Sequence, residues 1–505
     1  MTNPKLLRLD ATRLSISNPY GLEATLFASQ GVPIENKAID ELLGLLELQH
    51  TLERFYQAQP ESFDQVPQLS RVAVTPDFHK AQGIPVGTVM QTRGFLIPQA
   101  IGNDINCGMR LHTTDFKPEQ IQENLDALET RFRQAFFEGG RNIPMNRRQR
   151  EALLTQGLMG LLDSVPKSQS QGLWGLFHRS GLERDLVKIE QQGSLEAGRV
   201  FGLDDMLGDA ELSRDSQIGS IGGGNHFVEI QYVEKVLDRS IAHAWGLREG
   251  RVTLMVHSGS VSVGHAAGGH YREEVRRLFP PGLSHPRNKI FPLPTGQKHA
   301  AAVRLFWDAL HNAANFAFAN RMFLALMALQ ALEQELGEGG SELLYDAPHN
   351  LVWPDGQDSF IHRKGACPAR GVEQMGGTPF AYYGEPVLVP GSMGASSFVL
   401  AGQGNAQALM SASHGAGRVL SRGQAARGHQ AAFEQFMREF RVVSPLDLRR
   451  QDVKLRRDIL QKKLEELKQE APYAYKGIGA IVQTLQEAQI AKPVAELRPL
   501  MTVKG

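Results

Sequence analysis

Apolar residues first recur at helical spacing near the start of the chain. Ile39, Leu42, Leu43, Leu46 and Leu48, with charges between them, predict an amphipathic helix over 35–58 that covers a sheet. The rhythm changes over 71–112, where β-branched, glycine-rich runs such as Arg71-Val72-Ala73-Val74 and Gly87-Thr88-Val89-Met90 alternate with turn residues and predict short strands carrying loops. From 117 to 215 Glu, Gln, Leu and Arg dominate, with breaks at Gly139-Gly140 and Pro166, and a helical insertion is expected. Within it, Arg147-Arg148-Gln149-Arg150 is basic, which a solvated helix face explains at least as often as an RNA contact.

Strands are expected again over 217–231 and at Val252-Thr253-Leu254-Met255-Val256, a run that ends at His257. A long helix follows at about 300–336, in which Asn312, Asn315 and Asn320 interrupt an alanine- and phenylalanine-rich surface. Amides that frequent on one helix imply hydrogen-bonded neighbours. Leu343-Leu344-Tyr345 predicts a strand leading to His349-Asn350, and 386–390 one leading to Gly391-Ser392-Met393-Gly394. Over 425–471 a narrow stripe of Leu460, Leu464 and Leu467 lies beside Arg449, Arg450, Lys454, Arg456, Arg457, Lys462 and Lys463, a second, charged helical insertion. With no internal repeat and no low-complexity linker, strands and helices are expected to form one mixed body over 1–505.

Composition narrows the class. A chain of 505 residues, 42% hydrophobic and 21% charged, can bury a large core, and its formal charge of zero leaves any polyanion to a local basic surface. Cys107 and Cys367 are too few for a disulfide framework and suit a reducing compartment. No apolar stretch follows Met1-Thr2-Asn3-Pro4-Lys5, and no run approaches the roughly 18 apolar residues of a membrane span, so a cytoplasmic, soluble protein is expected.

The candidate chemistry centres on Ser411-Ala412-Ser413-His414-Gly415-Ala416-Gly417-Arg418. Small neighbours, two glycines and an arginine present His414 as an imidazole for phosphate. Such a nucleophile needs a cation on the phosphoryl oxygens. Asp104 and Cys107, three residues apart in a glycine-flanked turn, offer one hard and one soft ligand and favour a transition metal over Mg²⁺ or Ca²⁺; a thiolate can also bridge two ions. His226 follows three glycines, and His257 and His349 end strands, the usual places for assembling a metal site. His79, His265 and His270 have weaker settings and stay outside the first shell of ligands.

These residues carry a resemblance. Pro76-Asp77-Phe78-His79, Asp104-Ile105-Asn106-Cys107-Gly108-Met109, Gly222-Gly223-Gly224-Asn225-His226-Phe227-Val228-Glu229, His257-Ser258-Gly259-Ser260, His349-Asn350, Arg363-Lys364-Gly365-Ala366, Pro390-Gly391-Ser392-Met393-Gly394, Ser413–Arg418, Ala474-Tyr475-Lys476 and Val503-Lys504-Gly505 occur in the order seen in the RtcB family of RNA ligases, which the chain resembles from about residue 71 onward. The resemblance implies an α/β (mixed α+β) fold, with packed mixed β-sheets around a central metal site and helices outside. It implies two Mn²⁺ ions bridged by Cys107, one completed by His257 and His349, the other by Asp104 and His226. It implies GTP as cofactor and His414 as the residue that takes up GMP. Asn225, Ser392, Gly415, Ala416, Gly417 and Arg418 would lie along phosphate, and Glu229, Ser397, Tyr475 and Lys504 around guanine. The partner it implies is RNA with a 2′,3′-cyclic phosphate or 3′-phosphate and a 5′-hydroxyl; a protein activator stays open, and a monomer is expected.

The chain departs from the family pattern at Val261-Ser262, where arginine and glycine are usual, at Lys80-Ala81-Gln82-Gly83, which lacks one glycine, and at Asn103 and Asn106. Val261 keeps a second reading in play, a metal phosphodiesterase or phosphatase that opens RNA ends without sealing them, and the helical 425–471 segment a third, an RNA-end-binding protein without catalysis.

Overall fold

Two sheets organise the chain, and the computed structural model describes residues 5–505 of it. The first sheet runs Leu6–Arg8, Arg13–Ile16, Ala24–Phe27, Gln68–His79, Val86–Arg93, Ser359–Lys364 and Asn350–Pro354 from edge to edge. The second runs Ser341–Pro348, Gly108–Thr114, Val252–Ser258, Phe227–Val236, Ala491–Val503, Ser397–Gly402 and Pro386–Val389, with Arg441–Val443 added in parallel to Ala491–Val503. The expected mixed α/β class holds.

Register explains where the site forms. Gly108 pairs with Pro348 on one side and Ser258 on the other, His257 pairs with Phe227, and Val228 pairs with Val503, all antiparallel. Strand ends that are far apart in sequence therefore meet at one end of the sheet: the residues before 108 and 227, those closing 258, and those following 348 and 503.

The helix Ala300–Leu336 packs against this sheet, and its asparagines tie down loops as the sequence implies. Asn312 and Asn315 both donate to Leu154 O, and Asn320 accepts from Gly219 N at 2.8 Å and donates to Gly259 O at 3.0 Å. The helix expected over 35–58 is two, Asn36–Leu46 and Leu48–Ala58, joined at Glu47.

Three local expectations change. Residues 217–226 are loop, and the strand is Phe227–Val236: Gly222 and Gly224 adopt positive φ and turn the chain before it can pair. Arg150 is not on a solvated face; it is buried, with Nε 3.1 Å from Asp215 Oδ2 and Nη2 donating to Ser213 O. The stretch 425–471 is not continuously helical: the helices Gln430–Glu439, Gln451–Leu455 and Arg457–Gln469 are separated by turns and by Arg441–Val443, where two valines fit a strand and extend the second sheet. Among the described residues no helix is long and apolar enough to cross a membrane.

Candidate metal centre and histidine nucleophile

Cys107, His226, His257 and His349 converge at the sheet end described above. Cys107 Sγ lies 3.2 Å from both His226 Nε2 and His257 Nε2, and His257 Nε2 lies 3.3 Å from His349 Nε2. Asp104 Oδ2 is 2.8 Å from His226 Nε2, yet it has no partner in hydrogen-bonding alignment. The donors form two groups, Cys107 with His257 and His349, and Cys107 with Asp104 and His226; within each group every ligand atom lies within 4.8 Å of the others. One sulfur thus belongs to both.

The electrostatics fit divalent cations. Burial holds His257 and His349 well below the usual imidazole range, and the neighbouring histidines push the same way, so both rings present lone pairs. Burial, with Asp104 beside it, pushes the Cys107 thiol well up. Without a cation this cluster sets a carboxylate, a sulfur and imidazole lone pairs against one another; bound metal reverses that and makes the thiolate the stable form. His226 Nδ1 faces Ile221 O at 3.1 Å, which turns Nε2 toward the donors. The mixed sulfur, nitrogen and oxygen set suits Mn²⁺, Zn²⁺ or Co²⁺ better than Mg²⁺.

His414 follows the short strand Ser411–Ser413, and its ring centroid lies 4.7 Å from that of His349. Its Nδ1 is 2.6 Å from Oδ2 of Asp77, a fully buried carboxylate on Gln68–His79 in the other sheet. Thr75 Oγ1 donates to the second Asp77 oxygen at 2.5 Å. Burial alone would raise this carboxyl; the His414 imidazole and the Thr75 hydroxyl hold it below its ordinary value. Lys476 Nζ donates to the carbonyls on either side of Asp77, Pro76 O at 3.1 Å and Phe78 O at 2.6 Å. Gly417, at φ +72°, is pressed against this turn: a Cβ there would sit 2.1 Å from Asp77 O. The site therefore lies between the sheets, with the metal donors on one and the support for His414 on the other.

A cavity of about 360 Å³ opens over this cluster. Of the expected site residues, Asp104, Cys107, Asn225, His226, Glu229, His257, His349, Ser392, His414, Gly415, Ala416, Gly417, Arg418, Tyr475 and Lys504 line it. Ser397 does not; its Oγ sits behind the wall and accepts from Gln231 Nε2 at 2.9 Å, while the same Nε2 donates to Glu229 Oε1 at 2.7 Å. Burial pushes Glu229 up to about 7 against the pull of Thr502, Gln231 and Lys504, and burial brings Lys504 down to about 8. Lys504 Nζ also donates to Gly224 O and His226 O, bracing the loop that carries His226.

Arg418 is occupied within the protein. Nη1 donates to Glu470 Oε2 and to Tyr475 OH at 3.1 Å each, and the guanidinium lies 4.9 Å over the Tyr475 ring. It builds the wall more than it meets phosphate. Arg110 cannot supply the cation missing at 261 either: it is fully buried and paired with Asp346. Lys364 lines the cavity, with its ammonium brought down to about 8 by burial. Val261 instead contributes its backbone, donating to Asp104 Oδ1 at 3.0 Å from a left-handed φ of +49°.

Asp77, Lys364 and Lys476 received no role from the sequence, although each falls in a quoted motif. For Asp77, a carboxylate in the mostly apolar run 72–78 was the available signal, because it needs a buried partner. His79, left outside the ligand set, lines the cavity with Nδ1 2.8 Å from Asp77 O, and burial lowers it to about 4.

Comparison with known proteins gives the class first: residues 59–505 match the family described as "tRNA-splicing ligase RtcB", whose name is that of an RNA ligase. Relatives agree over nearly the whole length. The tRNA-splicing ligase RtcB of Thermococcus kodakarensis is 32% identical, covering 94% of this chain and 95% of its own. That of Nanoarchaeum equitans is 31% identical over the same shares, and that of Archaeoglobus fulgidus 31% over 86% and 87%. The chain belongs to the RtcB family.

Proposed function

We propose that this protein joins RNA ends bearing a 2′,3′-cyclic phosphate or 3′-phosphate to 5′-hydroxyl ends, using GTP and Mn²⁺, in tRNA splicing or RNA repair. The observation that carries the reading is the 2.6 Å contact between His414 Nδ1 and Asp77 beside two donor groups that share Cys107. A buried carboxylate accepting from Nδ1–H fixes the tautomer and leaves Nε2 as the nucleophilic nitrogen.

His414 Nε2 attacks the α-phosphorus of GTP; an N–P bond forms and pyrophosphate leaves. A 3′-phosphate oxygen of the RNA then takes GMP from His414, breaking that bond. The 5′-hydroxyl attacks the activated 3′-phosphorus, loses its proton and expels GMP. A cyclic phosphate is first hydrolysed to the 3′-phosphate. Divalent cations held by Asp104, Cys107, His226, His257 and His349 would supply Lewis-acid charge to phosphoryl oxygens. Glu229 accepts from guanine N1–H and N2–H, Lys504 donates to O6, and Tyr475 forms a flat wall. Asn225, Ser392 and the backbone of 415–417 border the phosphates. Under the same reading the stretches 117–215 and 425–471 are helical insertions on one catalytic body, which works in the cytoplasm as a monomer.

The test is direct. The protein is incubated with Mn²⁺ and α-labelled GTP, denatured, and assayed for acid-labile, base-stable label. Label in the wild type that disappears in His414→Ala is the expected result. Absence of label while cyclic phosphate is still opened would favour the end-opening hydrolase that Val261 suggests.

A further inference from the structure

A second cavity, of about 700 Å³, lies across the strand Ser359–Lys364 from the catalytic one: Arg363 faces it, whereas Lys364 faces the metal site. Its floor is one face of the first sheet. Register aligns Arg71 with Gln91, Gln91 with Ile361 and Ile361 with Trp353, so these side chains form a row across four strands, and Arg363 rises from the same face two residues beyond Ile361. Trp307 and His311, one turn apart on Ala300–Leu336, form the facing wall. The volume is that of a small-molecule site, which typically spans about 300–1,000 Å³.

Three arginines border this space, and two are occupied. Arg71 Nε lies 3.4 Å from Glu23 Oε1, and its Nη1 donates to Ala406 O. Arg370 is bound to Glu385 and Glu190, with Nε donating to Glu385 Oε2 at 2.9 Å. Arg363 is different. It is 7% exposed, its Nε donates to Ser411 Oγ at 2.8 Å, and among the described residues neither terminal NH₂ group has a hydrogen-bond partner. A guanidinium that lines a cavity and is hydrogen-bonded within the protein only through Nε keeps its terminal NH₂ groups for a bidentate anion, even with Glu385 and Glu190 nearby, and the indoles of Trp307 and Trp353 in the same lining offer flat apolar faces.

We infer that this cavity binds a nucleoside monophosphate, its phosphate on the Arg363 fork and its base against Trp307 and Trp353. Neither group belongs to the catalytic cavity, so the assignment stands independently of the ligase reading.

The experiment titrates the full-length protein with AMP, GMP or inorganic phosphate, following tryptophan emission and, in parallel, heat by calorimetry. Of the four tryptophans, Trp307 and Trp353 line this cavity and none lines the catalytic one. The expected result is saturable quenching by both nucleotides that survives His414→Ala and is weakened roughly tenfold or more in Arg363→Met. If Arg363→Met does not fold by circular dichroism, Trp353→Ala read by calorimetry takes its place, with weaker nucleotide binding expected. The assignment is overturned by no saturable signal at millimolar nucleotide, by affinity unchanged in the variant that folds, or by phosphate binding as tightly as AMP.

Discussion

His414 Nδ1 lies 2.6 Å from Asp77 Oδ2, a residue 337 positions away in the chain. The contact fixes one ring nitrogen and frees the other. Asp77→Asn keeps the shape and removes the charge that selects the Nδ1–H tautomer. The rate of protein labelling from α-labelled GTP should fall on the order of 10²-fold or more, with metal content unchanged. A rate within a few-fold of wild type would show that Asp77 does not set the tautomer.

Cys107 belongs to both donor groups, so its loss should not resemble the loss of a histidine. Elemental analysis after dialysis should find Cys107→Ala depleted of both ions, whereas His226→Ala and His349→Ala each weaken one site. Equal stoichiometry in all three variants would refute a shared sulfur.

Glu229, pushed up to about 7, is protonated below that pH and ionised above it. An acceptor for guanine N–H groups must be ionised, so GTP affinity should fall as pH drops through about 7, approaching tenfold per unit below it, and Glu229→Gln should bind weakly with a flattened profile. The stability sign is the opposite. A carboxyl raised above its unfolded value of 4.5 favours the ligand-free fold at low pH, and that contribution is lost as pH rises through about 7.

Val261 holds a β-branched side chain at φ +49°, a conformation in which asparagine is at ease. Val261→Asn keeps the N–H that donates to Asp104 and should raise stability by about 1 kcal/mol. The check is the denaturation midpoint in urea, which should increase at constant slope.

Asn320 satisfies Gly219 N, Ser220 N, Ser220 O and Gly259 O, all in loops next to the candidate ligands His226 and His257. Asn320→Leu strands these buried groups and should cost about 3 kcal/mol. Urea unfolding measures it, and metal affinity should fall in parallel.

Much of the site could be read from the chain because its donors sit at strand ends flanked by glycine and amide residues, a pattern that local sequence displays. His226, His257 and His349 are of this kind, and the helix expected at 300–336 is Ala300–Leu336. What escaped depends on pairing between distant segments. Asp77 looks like one polar residue in a strand until the short strand Ser411–Ser413 brings His414 to it, and Arg441–Val443 looks like a break between helices until Ala491–Val503 gives it a partner. Arg418 was read from its neighbours in sequence as a phosphate ligand; Glu470, 52 positions on, claims it.

The donors occupy the ends of four strands and come from positions 104 to 349, so no short piece of this chain holds more than the Asp104–Cys107 pair. The full coordination environment comes into being only when those strands are in register. Any metal held by this donor set would therefore have to wait for those strands to pair, and a part-folded chain would offer a cation only the two-donor turn of Asp104 and Cys107.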